Sequence, residues 1–177
     1  MSSTTSETSS THDIETSRWR IDPSRSRVEF RVPGFWGLVT VEGQFGRYTG
    51  TLDLRRQPAI ELTIDAASLD TKNQLRDRHL RSSDFFDAET HPEVRFVSDS
   101  ATLDGERLTV HGELSAGGDS IPLDVEGTLR RVGDDELEVD AAVSIDHREL
   151  GMTHSTLGMI RTPAELIVHG RLTRDAD

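Results

Sequence analysis

The feature that most constrains the fold is a period of two in hydrophobicity that recurs along most of the chain. In the segment AIELTID, for example, Ile60, Leu62 and Ile64 alternate with polar residues. Such alternation is typical of strands that bury one face and expose the other. Purely parallel sheets would read as continuous apolar runs, so the sequence predicts an antiparallel all-β domain. The other segments with this pattern are RVEFRV, RLTVHGEL, SIPLDVEGTL, ELEVDAAVSID and AELIVHGRL.

Short turn sequences between these segments predict how the strands connect. Asp104-Gly105, Gly117-Gly118-Asp119 and Gly133-Asp134-Asp135 have the Gly/Asp-rich composition of hairpin turns. Further strands fit GLVTVEGQF and RYTGTLDLR, which gives roughly eight in all, within the usual range for a barrel. Consecutive hairpins of this kind build a meander, and a closed meander is a barrel.

One segment, LDTKNQLRDRHLRSSDFF at residues 69–86, shows no alternation. Asp70 and Thr71 are both candidate caps of a short helix there, with Leu75, His79 and Leu80 on one of its faces. Hairpin loops normally have about two to five residues, and longer loops tend to be lids or binding loops. The segment therefore predicts one short helical lid on an otherwise all-β chain.

The charged residues of this lid and the seven histidines of the chain raise the question of a metal or acid/base site. Ligands on a helix are expected three or four residues apart, but that spacing joins Asp77 to Arg81, which predicts an ion pair. His111 and His169 follow apolar strand residues and should face solvent. His147 and His154 remain the best pair for a metal-assisted reaction. Since no catalytic or nucleotide-binding motif occurs, we predict a non-enzymatic protein without a metal or other cofactor.

Composition limits the partners and suits a closed sheet. The chain of 177 residues has no cysteine and a formal net charge of -12, which excludes disulfides and opposes binding to nucleic-acid phosphates. Only 33% of the residues are hydrophobic, as expected when a single inner layer is apolar and the outer layer is wet. An eight-stranded barrel has room to enclose one small apolar ligand.

Residues 1–17, MSSTTSETSSTHDIETS, are rich in Ser and Thr, and we expect a disordered tail before a single domain over residues 18–174. This tail has neither the basic start nor the apolar core of a secretory signal. No stretch is long and apolar enough to span a bilayer. We therefore expect a cytoplasmic protein with no integral membrane segment. The oligomeric state stays open, with a homodimer as one alternative.

Between Trp19 and about Leu172 the chain contains four characteristic motifs, WRIDPSRSRVEFRV, GQFGRYTGTLDL, ASLDTKNQLRDRHLRSSDFFDAETHPEVRFVS and DHRELGM. These motifs resemble those of the YceI-like family of polyisoprenoid-binding proteins. The resemblance implies a lipocalin-like antiparallel β-barrel of about eight strands, with a helical segment near one end and an isoprenoid or other amphiphilic chain inside. After Val32 the family often has a histidine, whereas this chain has Pro33-Gly34, so a ligand contact by that histidine is not carried over.

Large apolar side chains supply the predicted ligand contacts. Phe85 and Phe86 stand out because a charged loop rarely carries two large rings without burying them, so we expect them to seal the barrel. The predicted cavity residues are Phe30, Trp36, Phe45, Leu62, Leu80, Phe85, Phe86 and Phe96, and the predicted head-group residues are Arg76, Arg78 and Arg81.

The sequence thus predicts binding, storage or transport of an isoprenoid-like or other amphiphilic lipid inside the barrel. Two alternatives remain at this point. One is an enzyme that acts on a small apolar substrate. The other is a barrel filled by its own side chains that serves as a protein-interaction module.

Overall fold

The computed structural model describes residues 13–34, 39–152 and 163–176. Within these ranges the fold is a single antiparallel sheet with a two-turn α-helix, α1 (Gln74–Arg81), a helical turn at residues 13–16, and single-turn 3-10 helices. No helix in the described part of the chain has both the length and the apolar character needed to cross a bilayer. The strands are β1 (Trp19–Ile21), β2 (Arg27–Gly34), β3 (Val39–Phe45), β4 (Tyr48–Leu52), β5 (Ile60–Asp65), β6 (Leu69–Asp70), β7 (Glu93–Asp104), β8 (Arg107–Ala116), β9 (Asp119–Gly133), β10 (Glu136–Ile145) and β11 (Ala164–Arg174).

The sheet closes into a barrel because β11 pairs with both β10 and β1. Trp19 lies opposite Arg174 and Ile21 opposite Leu172, and β1 in turn pairs with β4. The closed ring consists of β1, β4, β5, β7, β8, β9, β10 and β11. The predicted antiparallel barrel of eight strands is thereby confirmed.

A second set of strand pairings extends the sheet from the N-terminal half of β11. Residues 165–169 of β11 lie opposite residues 27–31 of β2. The wall then continues through β3 to the short β6. The chain from β6 to β7, which includes α1, lies on this side of the barrel, so the helical segment is in the position expected of a lid.

The three predicted turns join β7 to β8, β8 to β9, and β9 to β10. Gly105, Gly117 and Gly118 have φ of +61°, +58° and +89°. Because only glycine adopts such positive φ values without a steric penalty, these residues permit the tight connections that the alternating segments require.

The ordered fold starts earlier than the sequence predicted. Residues 13–16 form a helical turn, in which Ile14 is buried and accepts a hydrogen bond from the Trp19 indole through its carbonyl. Asp13 forms ion pairs with Arg131 and Arg174. Residues 13–17 of the predicted tail, residues 1–17, are therefore part of the described fold, and residues 1–12 lie outside the described ranges. The partners of Asp13 are distant in sequence, so local composition could not reveal them.

Helix α1 begins at a different cap from the one predicted. The side chain of Asn73, rather than that of Asp70 or Thr71, accepts a hydrogen bond from the Arg76 backbone amide at 3.0 Å. Asp70 instead accepts from the Lys72 amide at 2.8 Å, in a turn where Lys72 has φ of +63°. Because Asp70 is engaged in this turn, it does not cap the helix, which starts later, at Gln74.

Candidate functional site

The barrel interior contains two apolar cavities, each smaller than the roughly 150 Å³ engineered cavity that binds benzene. The ring cavity, about 130 Å³, lies within the closed ring, and its lining includes Leu62, Phe96, Leu108, Val125, Val139 and Val168. The lid cavity, about 100 Å³, has a lining that includes Phe30, Phe45, Leu80, Phe85, Phe86 and His147. Leu114 and Leu166 line both cavities and so lie between them.

Strand alternation places the lining side chains. Along β10, Val139, Ala141 and Val143 line the ring cavity, and Ile145 lines the lid cavity. These residues are two positions apart, so they project from one face of the strand. The intervening Asp140 lies on the other face, where its carboxylate is 2.5 Å from the His169 imidazole.

The structure brings seven of the eight predicted cavity residues to the interior, and they divide between the two cavities. Leu62 and Phe96 lie opposite each other on β5 and β7 and line the ring cavity. The other five that are described line the lid cavity. Trp36 lies outside the described residues.

Aromatic contacts from three segments border the lid cavity. Phe30 packs against Phe45 with ring centroids 5.3 Å apart, and Phe45 meets Phe86 edge-on at 5.9 Å. Phe85 is 7% exposed and meets the His79 ring edge-on at 5.1 Å. Both lid rings therefore turn inward, as expected for the seal.

A buried carboxylate joins helix α1 to the segment that precedes it. Asp77 is 7% exposed and accepts hydrogen bonds from the backbone amide of Thr71 at 2.9 Å and from its hydroxyl at 2.5 Å. The predicted ion pair of Asp77 with Arg81 is therefore wrong. Leu75 is 77% exposed, so its predicted place on a shared apolar face with Leu80 is also wrong: the polar network with Thr71 decides which side of α1 turns inward.

Two of the three predicted head-group arginines hold backbone groups of the lid instead. Arg76 donates to the hydroxyl and to the carbonyl of Thr71 at 2.8 and 2.7 Å. Arg81 donates to two carbonyls between β5 and α1, at 2.9 and 2.8 Å. Arg78 is exposed. Neither cavity has an arginine or a lysine among its described lining residues.

His147 is the polar residue that the sequence did not assign to the cavity. It begins the 3-10 helix His147–Leu150, which Asp146 caps by accepting from the Arg148 amide at 3.0 Å. The Arg148 guanidinium lowers the pKa of Asp146 to about 2. The imidazole of His147 lines the lid cavity, and burial lowers its pKa. Its Nδ1 is buried without a hydrogen-bond partner among the described residues.

The signal that could have located His147 is the strand alternation itself. Its position has the same parity as Ile145, Val143 and Ala141, so the inward face of β10 continues one step beyond the end of the strand. Its expected metal partner, His154, lies outside the described residues. Across the described ranges, no group of three or more His, Asp or Glu residues is placed to hold a metal ion.

The chain is similar to proteins of known sequence and structure. A family model for the YceI-like domain matches residues 19–171. Protein YceI of Escherichia coli O157:H7 is 35% identical over 112 residues, which are 61% of this chain and 58% of that protein. The match thus spans less than two thirds of the length of this relative.

Two solved structures share the fold. BcnA of Burkholderia cenocepacia superposes with a TM-score of 0.75 at 21% identity, over 86% of this chain and 99% of BcnA. A polyisoprenoid binding domain from Saccharophagus degradans, implicated in plant cell wall breakdown, superposes with a TM-score of 0.76 at 15% identity, over 89% of this chain and 98% of that domain. With the fold in agreement and a family model that extends from the first strand to the last, the chain belongs to the YceI-like domain family.

Proposed function

We propose that this protein binds an isoprenoid-like or other amphiphilic lipid inside the barrel, for storage or transport, without catalysing a reaction on it. The observation that carries the proposal is the pair of apolar cavities that meet at Leu114 and Leu166. The likeness in fold to a polyisoprenoid binding domain supports an isoprenoid chain as the occupant. The unfilled interior favours this function over that of a packed barrel for protein interaction.

The energetics of such binding favour chains of intermediate or greater length. Each buried methylene contributes about 0.8 kcal/mol, so a tail of about ten carbons contributes about 8 kcal/mol. The cost of association is about 4–15 kcal/mol. Long apolar tails should therefore bind measurably, whereas a single five-carbon unit should not.

A charge placed in the lid cavity tests the proposal. Phe85→Asp would put a carboxylate where the wild type has a 7% exposed ring, and burying an unpaired charge in apolar surroundings is strongly unfavourable. We expect the variant to fold but to retain a C15 isoprenoid alcohol at least tenfold less than the wild type. Retention is measured by incubation, gel filtration, organic extraction and mass spectrometry, with circular dichroism as the check on folding.

The matched control is Leu75→Asp, which places the same carboxylate on the same lid, at a position that is 77% exposed. Its retention of the alcohol should equal that of the wild type. Equal retention by Phe85→Asp and Leu75→Asp would contradict the proposed site. A wild-type protein that takes up no apolar chain of any length would contradict the proposed function as a whole.

A further inference from the structure

Beside the lid cavity, the side chain of His147 has one polar atom that its surroundings leave unsatisfied. His147 Nδ1 is buried and has no hydrogen-bond partner within the described chain, although more than about 90% of buried polar groups in proteins have one. A buried donor or acceptor left without a partner costs about 1–3 kcal/mol. The described lining of this cavity is apolar apart from His147 and Glu165. A ligand that brings a hydrogen-bonding group to the imidazole would satisfy this atom.

The charge state of the cavity limits what that group can be. Burial lowers the pKa of the His147 imidazole, and Asp146 opposes this effect while Arg148 adds to it, so the ring is neutral near pH 7. The described lining of the lid cavity contains no arginine or lysine. A phosphate inside this cavity would be an anion without a countercharge, which is costly in apolar surroundings.

Arg76 and Arg81 offer little to an anion at this site. Their guanidinium groups donate to carbonyl and hydroxyl oxygens between residues 67 and 71, and neither residue lines the lid cavity. Neutral imidazole, by contrast, has one donor and one acceptor nitrogen, and its tautomer can adapt to either role of the ligand. It therefore matches an alcohol, a ketone or an amide.

We propose that His147 selects lipids whose head is a neutral hydrogen-bonding group, such as an alcohol, ketone or amide, over lipids that carry a phosphate. This inference rests on the proposed lipid binding and names the class of ligand that the same interior would take. His147 lines the lid cavity and not the ring cavity, so the head lies beneath the lid. The apolar chain then extends past Leu114 and Leu166 into the ring cavity.

A competition among three probes of equal chain length tests the inference. The probes are a C15 isoprenoid alcohol, the hydrocarbon with hydrogen in place of its hydroxyl group, and the C15 diphosphate. They are offered together at equal concentration, and the bound fractions are quantified by gel filtration, extraction and mass spectrometry. We expect the wild type to bind at least tenfold more alcohol than diphosphate.

Variants of His147 identify the residue responsible. The ratio of bound alcohol to bound hydrocarbon should fall about tenfold in His147→Phe, which keeps an aromatic ring but has no hydrogen-bonding nitrogen. His147→Gln, which can still donate and accept, should retain at least a third of the wild-type ratio. His111→Phe is the control, because His111 lies on the outer face beside Asp124; its ratio should not change.

The outcomes distinguish a failure of the role of His147 from a failure of lipid binding as a whole. If alcohol and hydrocarbon bind but their ratio is the same in the wild type and in His147→Phe, lipid binding stands and the role of His147 is overturned. Preferential binding of the diphosphate by the wild type would also overturn the role of His147. This comparison uses the wild type alone, so it does not depend on whether a variant folds. If none of the three probes binds, the proposed function fails, and the selectivity fails with it.

Discussion

At the scale of single residues, His147 is a histidine whose protonation the fold opposes. Burial lowers the pKa of its imidazole, the negative charge of Asp146 opposes this effect, and the positive charge of Arg148 adds to it. In the unfolded chain the same imidazole titrates near its usual pKa of about 6.5. Just below that pH, the unfolded state therefore binds more protons than the folded state, and acid favours unfolding.

This linkage predicts a pH-dependent difference between the wild type and His147→Gln. We expect the free energy of unfolding to fall more steeply in the wild type as the pH is lowered from about 7.5 to about 5.5, and the difference to become constant above about 7.5. Urea denaturation across this pH range measures the free energy of unfolding of both proteins. The difference between them cancels the contribution of the titrating groups that they share. Parallel curves would show that the imidazole is not buried as described.

The inward residues of the strands could be predicted from the sequence, because parity along a strand fixes the face. Leu62 and Phe30 followed directly from this rule, and they line the ring cavity and the lid cavity, respectively. His147 has the same parity as Ile145 but was not predicted to face inward. The reason is that a polar side chain is ordinarily taken to mark the end of a buried run. Its placement depends on the Asp146 cap, which turns the chain after β10 while keeping the imidazole inside.

At the scale of elements, the lid depends on a single buried carboxylate. In Asp77→Ala, the amide and the hydroxyl of Thr71 lose their acceptor. Because hydrogen bonds to charged groups contribute about 1.5–3 kcal/mol, we expect the free energy of unfolding to fall by about 2–3 kcal/mol. Amides of residues 74–88 should also exchange hydrogen faster, while those of β8 keep their protection.

Asp84→Ala is the matched control for this lid variant. It removes a carboxylate from the same segment, but its side chain is 51% exposed, so the change in stability should stay within about 0.5 kcal/mol. If the two variants lost equal stability, the Thr71 contact would not be what holds the lid.

The existence of the lid helix was predictable, but the direction it faces was not. The loss of alternation after β6 and the length of the segment indicated a helical lid, as found. Its orientation depends on the turn at Lys72, whose positive φ directs Thr71 toward Asp77. This contact buries a carboxylate and leaves Leu75 in solvent, which is the reverse of what hydrophobicity alone predicts.

At the scale of the whole molecule, closure depends on pairings that no local pattern contains. β11 pairs with β10 along its whole length and contacts β2 and β1 at successive positions, so it completes the ring. The contacts of Asp13 with Arg131 and Arg174 likewise join parts of the chain that are far apart in sequence. Alternation predicts the number and the faces of the strands, whereas these long-range partners require the structure.

The division of the interior into two cavities would limit the length of the chain bound at the proposed site. Each cavity is smaller than one that holds benzene, about 150 Å³, so a longer chain must displace Leu114 or Leu166, which line both. Leu114→Ala would remove much of this barrier. We expect it to cost about 2–5 kcal/mol of stability, because Leu114 is a buried core residue.

The same variant should shift the chain-length preference upward. Two further methylenes buried on joining the cavities contribute about 1.6 kcal/mol, or a little more than tenfold in affinity. The ratio of the C20 to the C10 isoprenoid alcohol bound, measured in competition by mass spectrometry, should therefore rise about tenfold in Leu114→Ala. Leu108→Ala is the control, because Leu108 is equally buried but lines the ring cavity and not the lid cavity. The two variants lose similar core volume, so an equal rise in both would mean that interior volume, and not the barrier at Leu114, limits the length of the bound chain.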